Sequence, residues 1–359
     1  MEKTKVGIIF GGKSAEHEVS LQSAKNIIDA LDREIFVPIL IGIDKDGNWH
    51  EYNEDSYLVN KNDPKKIALN EPKKPIQLHL GDLVREDNVL TTLDVLFPIV
   101  HGTLGEDGSL QGMLEMLNLP YVGPNVLASS ICMDKDIAKK LLQLAGIHVA
   151  KGVTVTKTEK SSLDYAEIAK QLGETLFIKP ANQGSSVGVS KVTTEEEFYA
   201  GIEDAFLYDH KLVIEEAIQG REIEVSVLGN ENPIASVPGE ILPQTEFYSY
   251  ESKYIDEKGA KLEMPANVSE ELAEDLKSKA IKAFQTLQCE GLARVDFFVT
   301  EDERIYVNEL NTLPGFTKIS MYPKLWELSG IAYSELITRL LNLAIERHKR
   351  NKKLRSSVF

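Results

Sequence analysis

Cysteine is scarce in this chain: Cys132 and Cys289 are the only two. Neither has a cysteine or histidine close by in the sequence, which argues against a metal knuckle or a disulfide framework. Two buried apolar thiols, in a reducing, cytoplasmic setting, are expected instead. Long apolar runs are also missing. None approaches the roughly 20 residues that a membrane helix needs. The opening "MEKTKVGIIF" has too short an apolar run for a signal peptide, and no small-residue cleavage site follows it, so it reads as a first, buried strand. Positive charge is in deficit, with 40 lysines and arginines against 56 acids and a formal net charge of −16. Such a surface repels nucleic acid and anionic lipid, so neither is expected as a partner. A phosphate ligand would then need cations gathered locally, as particular lysines and arginines or as bound metal. "GIIFGGKS", Gly7–Ser14, has the GxxxxGK[ST] spacing, but its first four residues belong to the apolar strand "KVGIIF" and not to a phosphate loop, so a Walker-type nucleotide site is not expected. There is no GxGxxG, so a dinucleotide oxidoreductase, prompted by "GIIFGGKSAE", lacks its fingerprint.

What is present is an ordinary globular composition, 42% hydrophobic and 27% charged over 359 residues, enough for two or three domains. "KVGIIF", "FVPILIGI" and "LDVLFPIVHG" read as strands. They alternate with the helices "VSLQSAKNIIDALD" and "GSLQGMLEMLNL", the first with Val19, Ala24, Ile27, Ile28 and Leu31 near one face and the second with Ser109 as its N-cap. That alternation implies a parallel, doubly wound sheet over about the first 120 residues. "MDKDIAKKLLQLAG" is a helix closed by Gly146. "GVTVT", "TLFIKP" and "GVSKV", with helices near 162–172 and 195–206, form a small α+β unit. "KLVIEEAI" and "REIEVSVLG" are strands leading into a further domain, where Ser269 caps a helix with acids in its first turn. "AYSELITRLLNLAIERHKR" is the closing helix, and the basic tail beyond it complements the helix dipole.

Three stretches stand apart. "KPANQGSSVGVS", Lys179–Ser190, reads by composition first as a plain loop, and alternatively as a lid over phosphate. Between Gly239 and Asn267 lies a long, Tyr-rich charged segment, a candidate lid. "RVDFFVTEDERIYVNELN" reads as a hairpin turning at Glu301–Arg304, with Thr300 opposite Ile305 and hence Asp296 opposite Glu309. Asp296, Glu309 and Asn311 then share a face with Arg294. Opposed carboxylates repel unless a cation lies between them, and a hard divalent ion suits these oxygens. "NTLPGFT" follows, and the N–H groups of its Pro314–Gly315 turn would lie beside that metal.

In chain order, "FGGKSAEHEVS", "HGTLGEDGSLQG", "MDK", "IKPANQGSSVGVSKV", "FYSYESKY", "GLARVDFF" and "NELNTLPGFT" resemble the D-alanine–D-alanine ligases of the ATP-grasp superfamily, over nearly the whole chain. The resemblance implies an α/β and α+β architecture: an N-terminal doubly wound domain (1–123), a central α+β domain with a glycine-rich phosphate loop (124–216), and a C-terminal domain with lid, metal site and catalytic residues (217–359). It implies ATP clamped between two antiparallel sheets, an acyl phosphate made from the first D-alanine, and attack on it by the amine of the second. Two Mg²⁺ are implied, replaceable by Mn²⁺, with Glu309 bridging and Asp296 and Asn311 on either side. A homodimer is implied as well.

Residue by residue, the resemblance makes Lys135 and Lys179 phosphate ligands, with Ser186 and the loop glycines Gly184 and Gly188. Glu215 and Glu222 face adenine and ribose, and Ile218 touches the base. Glu16 receives the first ammonium, and Ser185 and Tyr254 hydrogen-bond with it. Glu16 at a helix start competes with a plain capping role. His101 and Lys253 are placed at the substrates, although a satisfied loop histidine is an equal reading of His101. Ser320 meets the second carboxylate, and Arg294 with the N–H of Gly315 stabilises the oxyanion. A D-alanine–D-lactate ligase is the close rival, and a nucleotide-binding regulator without catalysis the distant one. Tyr254 in "FYSYESKY" favours the amide former.

Overall fold

The apolar run of "KVGIIF" becomes β1 (Thr4–Gly11), whose last six residues are all buried because both faces of its sheet are covered. The computed structural model describes residues 2–72, 75–79, 82–85, 88–243, 260–317 and 319–355. β1 pairs in parallel with β2 (Phe36–Ile43) and with β9 (Val95–Pro98), and β3 (Trp49–Tyr52) is an edge. The sheet is not wholly parallel. β3 follows β2 through a tight turn over residues 44–48 and so runs antiparallel to it. Two small accessory sheets intervene, β4 (Leu58–Val59) with β5 (Ala68–Leu69), and β6 (Gln77–His79), β7 (Asp82–Arg85) and β8 (Asn88–Thr92). They went unrecognised in the sequence because strands this short carry little periodicity.

Helix α1 (His17–Ala30) lays Leu21, Ala24, Ile27 and Ile28 on one face of the first sheet, each at most 1% exposed, while Val19 stands outside that cluster. α2 (Ser109–Met116) covers the other face through Leu110 and Leu114. Its N-cap is Gly108, at φ +93°, and not Ser109. Asp107 accepts from the Ser109 N–H, so the serine is drawn inside the helix and the preceding glycine makes the turn.

α3 (Val126–Met133) and α4 (Lys135–Leu144) come next, α4 capped by the Asp134 carboxylate. The second sheet is antiparallel, in the order β10 (Gly152–Thr156), β13 (Lys211–Glu216), β11 (Leu176–Pro180) and β12 (Ser190–Val192), backed by α5 (Tyr165–Leu172) and α6 (Glu195–Ala205). "KLVIEE" thus lies inside this sheet.

The third sheet runs β17 (Ala260–Glu263), β16 (Gly239–Pro243), β14 (Arg221–Gly229), β18 (Gly291–Val299) and β19 (Ile305–Asn311), with β15 (Ile234–Ala235) beside β14. α7 (Glu270–Thr286), capped by Ser269 as expected, packs Leu276, Ala280 and Phe284 on its inner face. The buried residues of α3 and α4 join that same cluster, so these two helices pack with the third sheet. α8 (Met321–Leu328) and α9 (Tyr333–Asn351) return to the first sheet, where Tyr322, Trp326, Leu336 and Leu340 share a core with Val6, Ile8 and Phe10.

Candidate active site

The outer face of the β18–β19 hairpin opens into a cleft of about 480 Å³, lined by strands of the third sheet, by Gly184 and Ser185 of the glycine-rich loop, and by Glu16, His101 and Glu106 from the N-terminal unit. The hairpin register differs from the sequence expectation at the turn. Val299, not Thr300, pairs with Ile305, and a bulge at Asn308 adds the residue that restores the frame, so Asp296 does lie opposite Glu309 and Arg294 opposite Asn311. Arg294, Asp296 and Phe298 are the half-buried alternate residues of β18, as period-2 alternation requires. Arg294 grips Asp296 by two parallel bonds, Nε to Oδ1 and Nη2 to Oδ2, both 2.7 Å, and its Nε lies 3.0 Å from Oε2 of Glu224. The Asn311 amide donates to Asp296 Oδ2 at 2.8 Å. Lys135 Nζ stands 3.6 Å from Glu309 Oε2. Among the described residues no three His, Cys, Asp or Glu side chains gather into a ready-made metal site. Two carboxylates and an amide on one face do form a donor set of the kind Mg²⁺ takes when a phosphate completes its shell.

The lysines cluster on the second sheet. Lys179 Nζ donates to Oε2 of Glu215 at 2.9 Å, and Lys139 of α4 holds Oε1. Burial alone would raise the Glu215 pKa, but the two ammoniums overrule it and hold it down at about 2. Burial alone would depress Lys179, yet Glu215 pulls its pKa above the ordinary lysine value. Lys139 comes out the other way, since burial dominates and lowers it to about 8. Each Glu215 oxygen is thus engaged by one lysine. Lys139 escaped sequence reading, being one of two adjacent lysines on an amphipathic helix. Lys135 opens α4 and donates to the Gln183 carbonyl at 2.5 Å, at the base of the glycine-rich loop. In that loop Ser185 and Ser186 adopt φ of +52° and +60°, a left-handed backbone that non-glycine residues take at some cost. Gly188, at φ +66°, lies under Tyr208, whose ring a Cβ would strike at 2.6 Å. Glu222 lines the cleft, and Ile218 is half-buried in the link between β13 and β14.

On the opposite wall, Glu16 precedes α1 but its side chain makes no capping bond. Its carboxylate accepts a short hydrogen bond from Ser185 Oγ, across 169 residues of sequence. The helix-cap alternative is thereby removed. His101 is 3% exposed with both ring nitrogens engaged, Nδ1 donating to the Leu313 carbonyl at 2.9 Å and Nε2 meeting Ser23 Oγ at 3.1 Å. Burial lowers its pKa, so it is neutral. Its place is behind the "NTLPG" loop, as a satisfied histidine. Glu106, unremarked in the sequence, holds the same loop: its carboxyl accepts from Leu313 N at 3.1 Å and Gly102 N at 2.7 Å. Gly315 faces Ser320, whose Oγ would meet a Cβ there at 2.8 Å, and Ser320 stands at the N-terminus of α8, where a carboxylate is favoured. Lys253 and Tyr254 lie outside the described residues. The two cysteines, far apart in sequence, are buried with their sulfurs 3.6 Å apart and unbonded.

Two antiparallel sheets, one bringing its glycine-rich loop and the other its carboxylates to one cleft that the N-terminal domain closes on a third side, define an ATP-grasp ligase. Two family profiles divide the chain between them, D-ala D-ala ligase N-terminus over residues 5–124 and D-ala D-ala ligase C-terminus over residues 141–342. A D-alanine–D-alanine ligase of Shouchella clausii is 61% identical, covering 100% of this chain and 99% of the relative. D-alanine–D-alanine ligase A of Escherichia coli K12 is 54% identical with 100% of both covered. Among solved structures, the D-alanine–D-alanine ligase of Coxiella burnetii superposes with a TM-score of 0.85 at 39% identity, with 98% of each chain covered. The VanG D-Ala:D-Ser ligase of Enterococcus faecalis reaches 0.85 at 36% identity, covering 96% of this chain and 100% of its own. This chain belongs to the D-alanine–D-alanine ligase family.

Proposed function

We infer that this chain joins two D-alanines into D-alanyl-D-alanine with ATP, through an acyl phosphate, as a step in making peptidoglycan precursors. The observation that carries the reading is the Ser185–Glu16 hydrogen bond, which ties the glycine-rich loop to the wall of the cleft where an amino acid would sit. In this reading Glu16 receives the first ammonium, ordered by Ser185 and, from the segment outside the described residues, by Tyr254, with Lys253 at the substrate. Lys135, Lys179, Ser186 and the loop N–H groups hold the phosphates, while Glu222 and Ile218 serve the nucleoside. Phosphoryl transfer asks the protein mainly for position and charge neutralisation, which these cations supply. Arg294 and the Gly315 N–H then face the oxyanion as the second amine attacks, and Ser320 at the α8 N-terminus takes the second carboxylate. His101 positions the loop from behind.

The family is ATP-dependent and generally Mg²⁺-requiring. Asp296, Glu309 and Asn311 would hold Mg²⁺, or Mn²⁺ in its place, on their shared face. When bound, the metal neutralises charge on the phosphate oxygens. Two ions, a homodimer, a cytoplasmic setting, and boundaries near 123 and 216 complete the proposal. Among the described residues no helix is long and apolar enough to cross a membrane.

The acceptor is the finer question, since the D-Ala:D-Ser ligase shares this fold. Phosphate release should be measured with ATP, Mg²⁺ and a panel of D- and L-amino acids and D-lactate, and the products read by mass spectrometry at neutral pH. D-alanine-dependent release with D-alanyl-D-alanine as the main product is expected. Predominant depsipeptide or D-alanyl-D-serine from mixtures would overturn the acceptor assignment. Nucleotide binding without amino-acid-dependent release would favour a non-catalytic regulator.

A further inference from the structure

We propose that Lys139 is a positioning residue of the phosphate site, acting through Glu215 to fix where the Lys179 ammonium is held. The proposal rests on the nucleotide reading above. Lys139 lies one helical turn beyond Lys135 on α4, so the two share a face. Glu215 sits on β13 directly opposite Phe177 of β11, and Lys179, two residues on, occupies the same face diagonally. On the other side of β13 its partner is Gly152, where a Cβ would crowd the Glu215 side chain at 3.2 Å. The glycine leaves room for a carboxylate that is only 2% exposed.

The division of Glu215 between two lysines has a geometric consequence. Lys139 occupies Oε1, so Lys179 is confined to Oε2, at 2.9 Å. An ammonium has three donors, and this arrangement uses one, leaving two to face an anion. With Lys139 removed, Glu215 would draw Lys179 onto both oxygens. Electrostatics agrees. Two ammoniums share one carboxylate in direct contact, their side chains 9%, 13% and 2% exposed, so the triad itself carries one positive charge in excess, which only the more distant Glu309 and Glu222 offset. A buried charge triad of this kind gives little net stability compared with packed apolar side chains. Its surplus charge is what a polyphosphate would balance. Burial, and after it the neighbouring Lys179 ammonium, lowers the Lys139 pKa.

The test is titration calorimetry of wild type, Lys139→Met and Lys139→Arg with ATP, ADP and adenosine, and steady-state kinetics on the same proteins. Lys139→Met should weaken ATP and ADP by about tenfold or more and leave adenosine within about twofold, because only the phosphates meet Lys179. KM for ATP should rise while KM for D-alanine stays put, and Lys139→Arg should restore most of the loss. In a Glu215→Gln background the Lys139→Met change should lose most of its effect, since the route through Glu215 is already cut. Equal loss of adenosine and ATP, or an undiminished effect in the Glu215→Gln background, would overturn the proposal, as would unchanged ATP affinity. If Lys139→Met does not fold, Lys139→Gln carries the same comparison. Wild type that fails to bind ATP would sink the nucleotide reading itself. Wild type that binds ATP alongside an indifferent Lys139→Met would sink only this one.

Discussion

Glu106 is a carboxyl placed where a carboxylate is least welcome. It lines the cleft beside the "NTLPG" loop, and burial, reinforced by the nearby Glu16, raises its pKa to about 8 despite two backbone N–H donors. The folded chain therefore keeps a proton that the unfolded chain releases near its ordinary value of 4.5. A raised acid pKa means the contribution to stability is complete below about pH 4.5 and is lost as pH rises toward 8. Glu106→Gln mimics the neutral form. Thermal melts from pH 5 to 8 should show the variant losing less of its melting temperature across that window than wild type does. Parallel curves would mean that Glu106 is already ionised in the fold. Glu215 shows the opposite outcome, because two lysines bind it directly, where Glu106 has two N–H donors and a more distant Arg294.

The glycine-rich loop is tethered at one end and strained in the middle. Asp209 Oδ2 accepts from Asn182 N at 2.8 Å and from its Nδ2 at 3.0 Å, which fixes the stem. Beyond it, consecutive serines at positive φ are held in part by the Ser185–Glu16 bond. A half-buried segment with so few ladder bonds should open locally. Hydrogen exchange over residues 182–190 should slow markedly when a nonhydrolysable ATP analogue and Mg²⁺ are added, while exchange in the neighbouring strands stays constant. Equal protection with and without nucleotide would remove the lid reading. The hairpin behaves differently, its register pinned by a bulge and by paired strands on both sides of β18.

Across the molecule, the closing helix binds the N-terminal unit to the rest. Arg347 of α9 is 5% exposed, donates to the carbonyls of Gly123 and Tyr121, and stacks 4.6 Å over the Tyr121 ring. Replacing it with Met would strand two buried carbonyls, at a cost of about 2–4 kcal/mol. Denaturant unfolding of Arg347→Met should show that loss, with kcat of the folded enzyme near wild type because the residue lies outside the cleft. A stability within about 0.5 kcal/mol of wild type would show that water replaces the guanidinium without penalty.

Local pattern in the sequence was sufficient wherever short-range physics governs. The α1 face, the Ser269 cap and the glycine-closed end of α4 follow from periodicity and capping chemistry, and Asp296 opposite Glu309 follows from strand alternation about one turn. Even there the agreement hid a compensation, since Ile305 pairs one residue earlier on β18 than expected and the Asn308 bulge takes up the difference. Seven motifs in order were enough to identify the family, because each carries its chemistry in contiguous residues. Tertiary structure alone decided which charges meet. Lys139 and Glu215 are 76 positions apart, His101 and Leu313 are 212 apart, and Cys132 and Cys289 are 157 apart. No local preference encodes such contacts. They arise when apolar faces bury together and bring distant side chains into a low-dielectric space, where a partner or its absence sets each one's charge and role.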